Sequence, residues 1–231
     1  MDIKFDPVKH IYTNVYTGEE YTSVTRFLNQ FKPKFDDVSA ATRVSLREGS
    51  SVQDVLSRWK DENKKSQEYG TNIHQVLEKF MTEGECEPEN TTLCKAFKKI
   101  FNLRKKDGLE IEKLTFLHDY KLAGTADIIS PEGAYFDVFD MKTNKKFNYS
   151  SKYDEYMLYP LTHLPACEFT LYSLQISLYA YAYHTMTGRK FRKAAIFYWD
   201  RDTETFSSIP VMYMKREIEH LLQIHKNEIE K

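Results

Sequence analysis

Residues 121–143, KLAGTADIISPEGAYFDVFDMKT, contain two runs of β-branched and aromatic residues on either side of the turn Pro131-Glu132-Gly133. Runs of this composition, bounded by turn residues, are typical of paired β-strands. A third strand-like run, LEIEKLTFLH, precedes them at residues 109–118. Together the three runs predict an antiparallel meander.

Helical patterns surround this meander. Apolar residues at helical spacing predict a helix that begins after Gly70, in TNIHQVLEKFM, and a second one through Leu93, Phe97, Ile100 and Leu103 that ends at Asp107-Gly108. The segment after the meander predicts, in chain order, a helix from about Thr170 to Met186 ending at Thr187-Gly188, a buried strand AAIFYWD at 194–200, and a charged helix from Lys215 to Lys231.

The N-terminal region is expected to decorate this core. HIYTNVYTGEEYTSVT, residues 10–25, predicts a β-hairpin with its turn at Thr17-Gly18, and Ser23 is a candidate cap for a short helix. Residues 36–68 predict helices of modest burial. We therefore expect an N-terminal hairpin and helical extension over residues 1–69 and a core with a C-terminal helix over residues 70–231.

Composition bounds the class of protein. The chain has 231 residues, 41% of them hydrophobic and 29% charged, which is typical of a globular domain and excludes wholesale disorder and collagen-like repeats. No run approaches the roughly 18 to 20 apolar residues that a membrane span needs. With 33 basic and 34 acidic residues the net charge is −1, so any binding of a polyanion depends on local basic clusters.

The three cysteines, Cys86, Cys94 and Cys167, form no CxxC motif and cannot all pair with one another. The N-terminus MDIKFDPVKH lacks the apolar core of a signal peptide, so a reducing cytoplasm is the expected location. The chain has no GxxxxGK[ST] motif, and we expect no nucleotide cofactor.

Acidic and basic side chains meet in the meander. Side chains alternate along a strand, so Asp140 and Lys142 project from one face, and the turn at 131–133 would bring Asp127 across from Asp140. A converging carboxylate pair favours Mg²⁺, and an adjacent ammonium can orient water or balance charge in phosphodiester hydrolysis. Solvated surface charges are the alternative interpretation.

Two helical pairs accompany these residues. His74 and Glu78 are four residues apart on the helix after Gly70, where they could face a cleft or act only in packing and solvation. Gln175 and Tyr179 repeat this spacing on the helix after the meander, and a buried Gln175 would need a hydrogen-bond partner of either a functional or a structural kind.

These residues resemble the PD-(D/E)XK nuclease superfamily, and within it the RecB-like exonuclease branch. The matching blocks, in family order, are GTNIH at 70–74, Glu112, GTAD at 124–127, DMKT at 140–143 and QISLY at 175–179. The resemblance spans roughly residues 70–200 and is similar to phage-encoded and mitochondrial genome-maintenance exonucleases. It implies an α/β (α+β) restriction-endonuclease-like core, in which helices flank a central mixed sheet, with the N-terminal hairpin and helices as additions.

The resemblance also implies roles for individual residues. Asp127 and Asp140 would ligate Mg²⁺ or Mn²⁺, with the Met141 carbonyl and His74 completing part of the shell, while Lys142 assists the attacking water. Glu112 would touch a second metal or its waters, with Glu110 as the competing choice. The residues implied to contact DNA or support the site are Gln175, Tyr179, Glu78, Thr143, Lys145 and Lys146. Lys152 and the basic cluster at 95–106 are further candidates for contacts with the DNA backbone, and the absence of four suitable cysteines implies no iron–sulfur cluster.

The function implied is a metal-dependent DNA exonuclease that acts on single strands or free ends in replication, recombination or repair. A phage-encoded enzyme of this kind would work in the host cytoplasm, with a helicase or recombination protein as partner and no membrane. The alternatives are a structure-specific endonuclease of the same fold and a nucleic-acid-binding protein without turnover. Residues 1–69 are expected to form a lid or arch over the site.

Overall fold

The structure, a computed structural model, describes residues 2–101, 108–151 and 154–230 and is a mixed α/β fold. The strands are β1 (Ile3–Asp6), β2 (Ile11–Asn14), β3 (Glu20–Ser23), β4 (Glu110–Leu117), β5 (Leu122–Glu132), β6 (Tyr135–Lys142), β7 (Lys190–Asp200) and β8 (Thr205–Val211). The helices are α1 (Val24–Asn29), α2 (Asp37–Glu48), α3 (Val52–Glu83), α4 (Thr91–Ile100), α5 (Glu168–Thr187) and α6 (Lys215–Ile229). The predicted fold class, a central mixed sheet flanked by helices, is confirmed.

All eight strands form one sheet in the order β1-β2-β3-β5-β6-β7-β8, with β4 paired to β5. The antiparallel meander β4-β5-β6 is confirmed. The sheet is mixed because β3 pairs with β5, and β6 with β7, in parallel. The edge strands β1 and β8 were not predicted, since β8, TFSSIPV, has two serines and a proline in place of a clear apolar alternation.

The strand β5 has a fork along one of its edges. Residues 122–129 of β5 pair with β4 on one edge, so β3 and β6 must share the opposite edge. There β3 pairs at Leu122 and Ala123, whereas β6 pairs only from Ile128 onward. Among the described residues the stretch 124–127 therefore lies between two diverging neighbours, and the sheet opens at this point.

The helices close both faces of the sheet. The face with Val138 and Ile196 packs under α5 in one apolar cluster, and the face with Phe139, Met141 and Phe197 packs under α3 and α4 in another. Asp140 and Lys142 alternate with Phe139 and Met141 along β6, so they point to the α5 side.

The N-terminal hairpin is confirmed as β2 and β3, and Ser23 caps α1 by accepting a hydrogen bond from the Arg26 amide at 3.2 Å. The expectation that a helix begins after Gly70 is wrong. A capping box at Ser51 and Asp54 starts α3 earlier, and Gly84 ends it in the left-handed conformation. The boundary expected between residues 69 and 70 thus passes through a continuous helix, and the division into two regions stays a prediction.

Gly70 is placed inside α3 by packing. A Cβ at this position would lie 2.9 Å from Thr143 Oγ1, so the absence of a side chain lets the helix approach the end of β6. This contact fixes α3 against the strand that carries Asp140.

The helix α4 ends at Ile100. Leu103 and Asp107 of the expected helix lie outside the described residues. A disulfide joins Cys86 to Cys94, with Cα atoms 6.6 Å apart, and Cys167 is a buried free thiol. A reducing compartment would keep both members of that pair as thiols, and the cytoplasmic location stays a prediction. None of the helices in the described ranges combines the length and apolar character that crossing a bilayer requires.

Candidate metal centre

The two aspartates meet where β5 and β6 begin to pair. Ile128 is paired with Phe139, so continuation of this register puts Asp127 opposite Asp140. The Met141 amide donates a 2.6 Å hydrogen bond to Asp127 Oδ2. At the fork, this side-chain oxygen therefore accepts the hydrogen bond that a backbone carbonyl of a neighbouring strand would accept in a continuous sheet. Asp127 is thereby anchored by one oxygen, and its other oxygen, Oδ1, remains to face the cleft.

Asp140 is the more deeply buried of the two carboxylates, with a residue exposure of 1%. Lys142 Nζ lies 2.6 Å from Asp140 Oδ2, close enough for an ion pair. Apart from this ammonium, the buried Oδ2 has no hydrogen-bond donor among the described residues. The Lys142 ammonium also lies 4.7 Å from the centre of the Tyr172 ring, within cation–π range.

His74 reaches this pair from α3. Its Nε2 lies 3.1 Å from the Met141 carbonyl oxygen, and because a carbonyl only accepts, Nε2 carries the proton in this contact. Nδ1 then faces Asp127 Oδ1 at 3.6 Å. In the neutral imidazole this places a lone pair opposite a carboxylate oxygen, an arrangement that a cation between them would stabilise.

Glu112 completes the acidic group. It lies on β4 with a left-handed backbone, φ 46°, and a ligand atom from each of His74, Glu112 and Asp127 can be chosen so that all lie within 4.8 Å of one another. The competing choice, Glu110, instead accepts a hydrogen bond from Tyr183 and pairs with Lys113. Of the two glutamates, the structure brings Glu112 to the aspartates.

The pKa values reflect this crowding of charge. Burial, with the charges of Asp127 and Glu78, raises the pKa of Glu112 to about 8. Burial also raises the pKa of Asp140, to about 6, although Lys142 works against the shift. Burial alone would lower the pKa of Lys142, but the neighbouring aspartates outweigh it and the net shift is upward.

The residues fit a divalent cation. Three carboxylates, Glu112, Asp127 and Asp140, face one ammonium, which leaves two negative charges in excess when all are ionised. The buried Asp140 Oδ2 has Lys142 as its one charged partner among the residues that the structure describes, and a cation would supply a second one. Carboxylate and carbonyl oxygens are the donors that Mg²⁺ and Mn²⁺ prefer.

A cleft of about 1030 Å³ opens over these residues. The α5 side chains Gln175 and Tyr179 line it, and Gln175 Nε2 donates a 2.9 Å hydrogen bond to the Tyr179 hydroxyl. A Cβ at Gly124 would lie 2.7 Å from the Tyr179 ring, so the glycine lets the helix close over the fork in β5. The pair supports the wall of the cleft.

The other predicted residues surround the centre in different ways. Thr143 is buried on the α3 side, and its carbonyl accepts a 2.9 Å hydrogen bond from Arg201, which places it in the support of β6. Glu78 acts on the centre through its charge. Lys145 and Lys146 are exposed beyond the end of β6 and do not line the cleft.

The basic cluster lies elsewhere. Lys95, Lys98 and Lys99 are on the exposed face of α4 and do not line the cleft. Residues 102–107, with the rest of the cluster, and Lys152 lie outside the described residues. Their predicted contacts with DNA stay predictions.

Sequence reasoning missed two contributors to the site. Tyr172 reaches Lys142 from α5, and its position three residues before Gln175 on the same helix was the available signal. The hairpin residues Phe5, His10 and Tyr12 line the cleft as well, which no local pattern indicates because the contact joins distant parts of the chain.

Comparisons with known proteins leave the family open. No family model matches this chain, and neither does any curated protein. Among solved structures, the chain is similar to a protein named SSO0001, with 14% identity and a TM-score of 0.38 over 91% of this chain and 77% of that one. It is also similar to a protein named "Putative exonuclease" from Eubacterium rectale, with 15% identity and a TM-score of 0.43 over 90% and 82% of the two chains.

Proposed function

We propose that this protein is a metal-dependent deoxyribonuclease of the PD-(D/E)XK type. The observation that carries the proposal is the convergence of Asp127, Asp140 and Lys142 at the fork in the sheet, where Lys142 is the one charged partner of the buried Asp140 Oδ2 in the described structure. Carboxylates that converge beside an ammonium in a cleft suit phosphodiester hydrolysis.

The side chains divide the work between holding a cation and acting on the reactants. Asp127, Asp140 and the Met141 carbonyl would hold Mg²⁺ or Mn²⁺, with His74 and Glu112 beside them. When bound there, the cation neutralises charge on the scissile phosphate and lowers the pKa of a water molecule. Lys142 would orient the attacking water and offset the negative charge that grows on the phosphate.

The substrate and mode of cleavage are proposed from the sequence resemblance. A RecB-like pattern supports exonuclease action on single-stranded DNA or free ends, in replication, recombination or repair. With no helicase motif in the sequence, a separate helicase or recombination protein would supply the free strand. A structure-specific endonuclease of the same fold is the second candidate, because Asp127, Asp140 and Lys142 would serve either mode equally.

The test is cleavage of end-labelled linear single-stranded DNA with Mg²⁺, Mn²⁺ or EDTA. We expect metal-dependent shortening by the parent and by Asp202→Ala, an exposed acid away from the cleft, and none by Asp140→Ala. A closed circular single strand should stay intact with an exonuclease and be cut by an endonuclease.

The opposite result is equally clear. If Asp140→Ala cleaves DNA as fast as the parent, the proposed centre is wrong. If the parent and Asp140→Ala bind DNA equally and neither cleaves single strands, duplex DNA or RNA in any metal, the protein is a binding module.

A further inference from the structure

The β1–β2 hairpin contributes to the cleft that holds the carboxylates. Besides Asp127, Asp140 and Lys142, the cleft is lined by Phe5, His10 and Tyr12 of β1, β2 and the loop between them. The cavity therefore has both charged and aromatic lining residues.

The aromatic lining residues form an ordered cluster. Phe5 and Tyr12 are directly opposite in the β1–β2 register and stack with ring centres 4.6 Å apart and an interplanar angle of 25°. His10 meets the Phe5 ring edge-on at 5.2 Å and is exposed. Tyr12 is buried and serves as the base of the cluster, whereas Phe5, half-buried, and His10 keep surface toward the cleft.

Tyr12 links this cluster to the metal centre. Its hydroxyl lies 3.2 Å from Thr125 Oγ1, within hydrogen-bond distance. Thr125 and Asp127 are two residues apart on β5, about 7 Å along the strand, and both line the cleft. The aromatic and acidic groups thus adjoin along one surface.

We propose that Phe5 and His10 form a stacking subsite for an unpaired nucleobase of the strand whose phosphodiester lies at the carboxylates. This inference rests on the proposed function and adds the element that recognises the substrate. A nucleotide is charged at its phosphate and flat and apolar at its base, which matches the charged and the aromatic residues that line the cleft. Stacking on aromatic rings accepts every base, so the subsite favours single strands over duplexes without selecting sequence.

Packing of the β1–β2 hairpin holds the aromatic cluster in one orientation. The Phe5–Tyr12 pair is supported by Ile3, Tyr21 and Leu114 beneath it. A platform held by a sheet keeps its orientation when a base is absent, so little ordering entropy is lost when the base binds.

The experiment compares two fluorescent probes of equal length, a ten-nucleotide oligothymidylate and the same phosphodiester backbone with abasic residues, bound in Ca²⁺ and followed by anisotropy. We expect the parent to prefer the thymidylate. Phe5→Leu should weaken thymidylate binding about tenfold, which corresponds to the lower part of the stacking range, and leave the abasic probe unchanged. Phe5→Trp should retain the preference.

Two further variants guard against effects on folding. His10→Ala changes an exposed residue and should weaken thymidylate binding about threefold. Tyr16→Ala removes an aromatic side chain that is 77% exposed at the other turn of the hairpin, does not line the cleft, and should change nothing. Circular dichroism melts of each variant would show that the fold is kept.

The outcomes separate this inference from the proposed function. Equal binding of the two probes by the parent, or equal loss of both in Phe5→Leu, would overturn the subsite even if the protein cleaves DNA. A thymidylate preference that depends on Phe5 in a protein that cleaves nothing would retain the subsite and overturn the nuclease. A parent that binds neither probe overturns the subsite as well.

Discussion

Asp137 and Asp140 lie three residues apart on β6 and are equally buried, at 1% exposed each, but their charges are balanced in different ways. Arg192 donates two hydrogen bonds of 2.8 Å to Asp137, one to each carboxylate oxygen. The Lys193 ammonium lies 3.9 Å from Asp137 Oδ2. Asp140 has a single ammonium, from Lys142, which lies 2.6 Å from one of its two oxygens.

This difference assigns Asp137 to the structural support of the sheet and Asp140 to the candidate site. A buried carboxylate is costly unless its partners satisfy both oxygens, and the planar fork of a guanidinium does this well. Asp137 is saturated in this manner on the parallel β6–β7 pair. Asp140 instead faces a second carboxylate, Asp127, and has one ammonium in place of a guanidinium fork, as a residue that binds an added cation would.

The largest effect is expected at Asp140. Asp140→Asn should lower the cleavage rate at least about a hundredfold, since it removes a charged group that the transition state requires. It should leave the thermal unfolding temperature in EDTA unchanged or higher, because one buried negative charge is lost beside Asp127 while Lys142 keeps Asp127 as a charged neighbour. Rate and melting measurements on one preparation test both parts, and a large drop in melting temperature would make Asp140 a structural residue.

Asp137→Asn should show the reverse pattern. It removes one of the two carboxylate oxygens that Arg192 binds and leaves the guanidinium paired only with the exposed Glu132, so we expect a loss of about 2 kcal/mol in the free energy of unfolding. Cleavage per folded molecule should be unchanged, because Asp137 does not line the cleft. Urea unfolding measures the first quantity and an active-fraction assay the second. If Asp137→Asn kept the stability of the parent and lost cleavage, Asp137 and Asp140 would have the same role.

A smaller effect is expected at Tyr172, which holds the ammonium that Asp140 pairs with. Tyr172→Leu removes the ring from Lys142 and should lower kcat about fivefold to tenfold, with KM unchanged, in line with the strength of a partly buried cation–π contact. Tyr172→Phe keeps the ring and should retain the rate. Tyr181→Leu, on the same helix away from the cleft, is the matched control. Equal losses in the Leu and Phe variants would show that the hydroxyl acts and not the ring.

The contrast between the two aspartates also shows what a sequence can predict. The turn at Pro131 to Gly133 and strand alternation were sufficient to place Asp127 opposite Asp140 and Lys142 beside it, because hairpin register is a local property. Nothing in the spacing of Asp137 and Asp140 distinguishes their roles. That distinction depends on Arg192, which lies 55 residues after Asp137 on β7.

Other features were hidden for the same reason. The helical spacing of residues 71–81 predicts a helix that starts after Gly70, whereas the close approach of α3 to Thr143, which needs a glycine inside the helix, is a tertiary requirement. The part of the cleft lining formed by Phe5 and His10 depends on the parallel pairing of β3 with β5, which brings the hairpin to the cleft. Long-range pairing of this kind leaves no periodic signal in the chain.

The smallest effect concerns Glu112, which shares with Asp140 a pKa raised by burial. Its pKa is about 8 in the folded protein against an ordinary value of 4.5, so between these values the folded state holds a proton that the unfolded state has released. The free energy of unfolding therefore falls as the pH rises through this window. Asp140, with a pKa of about 6, has finished most of its titration by pH 7, so melts in EDTA from pH 7 to 8.5 report mainly on Glu112.

We expect the melting temperature of the parent to fall across this range and that of Glu112→Gln to be flatter, because the amide cannot ionise. Glu110→Gln, two residues away on β4 but paired with Tyr183 and Lys113, should keep the slope of the parent. Added Mn²⁺ should stabilise the parent more at pH 8.5 than at pH 7, since cations and protons compete for Glu112. The same metal effect in Glu112→Gln would place Glu112 outside the metal centre and leave the aspartates to hold the cation without it.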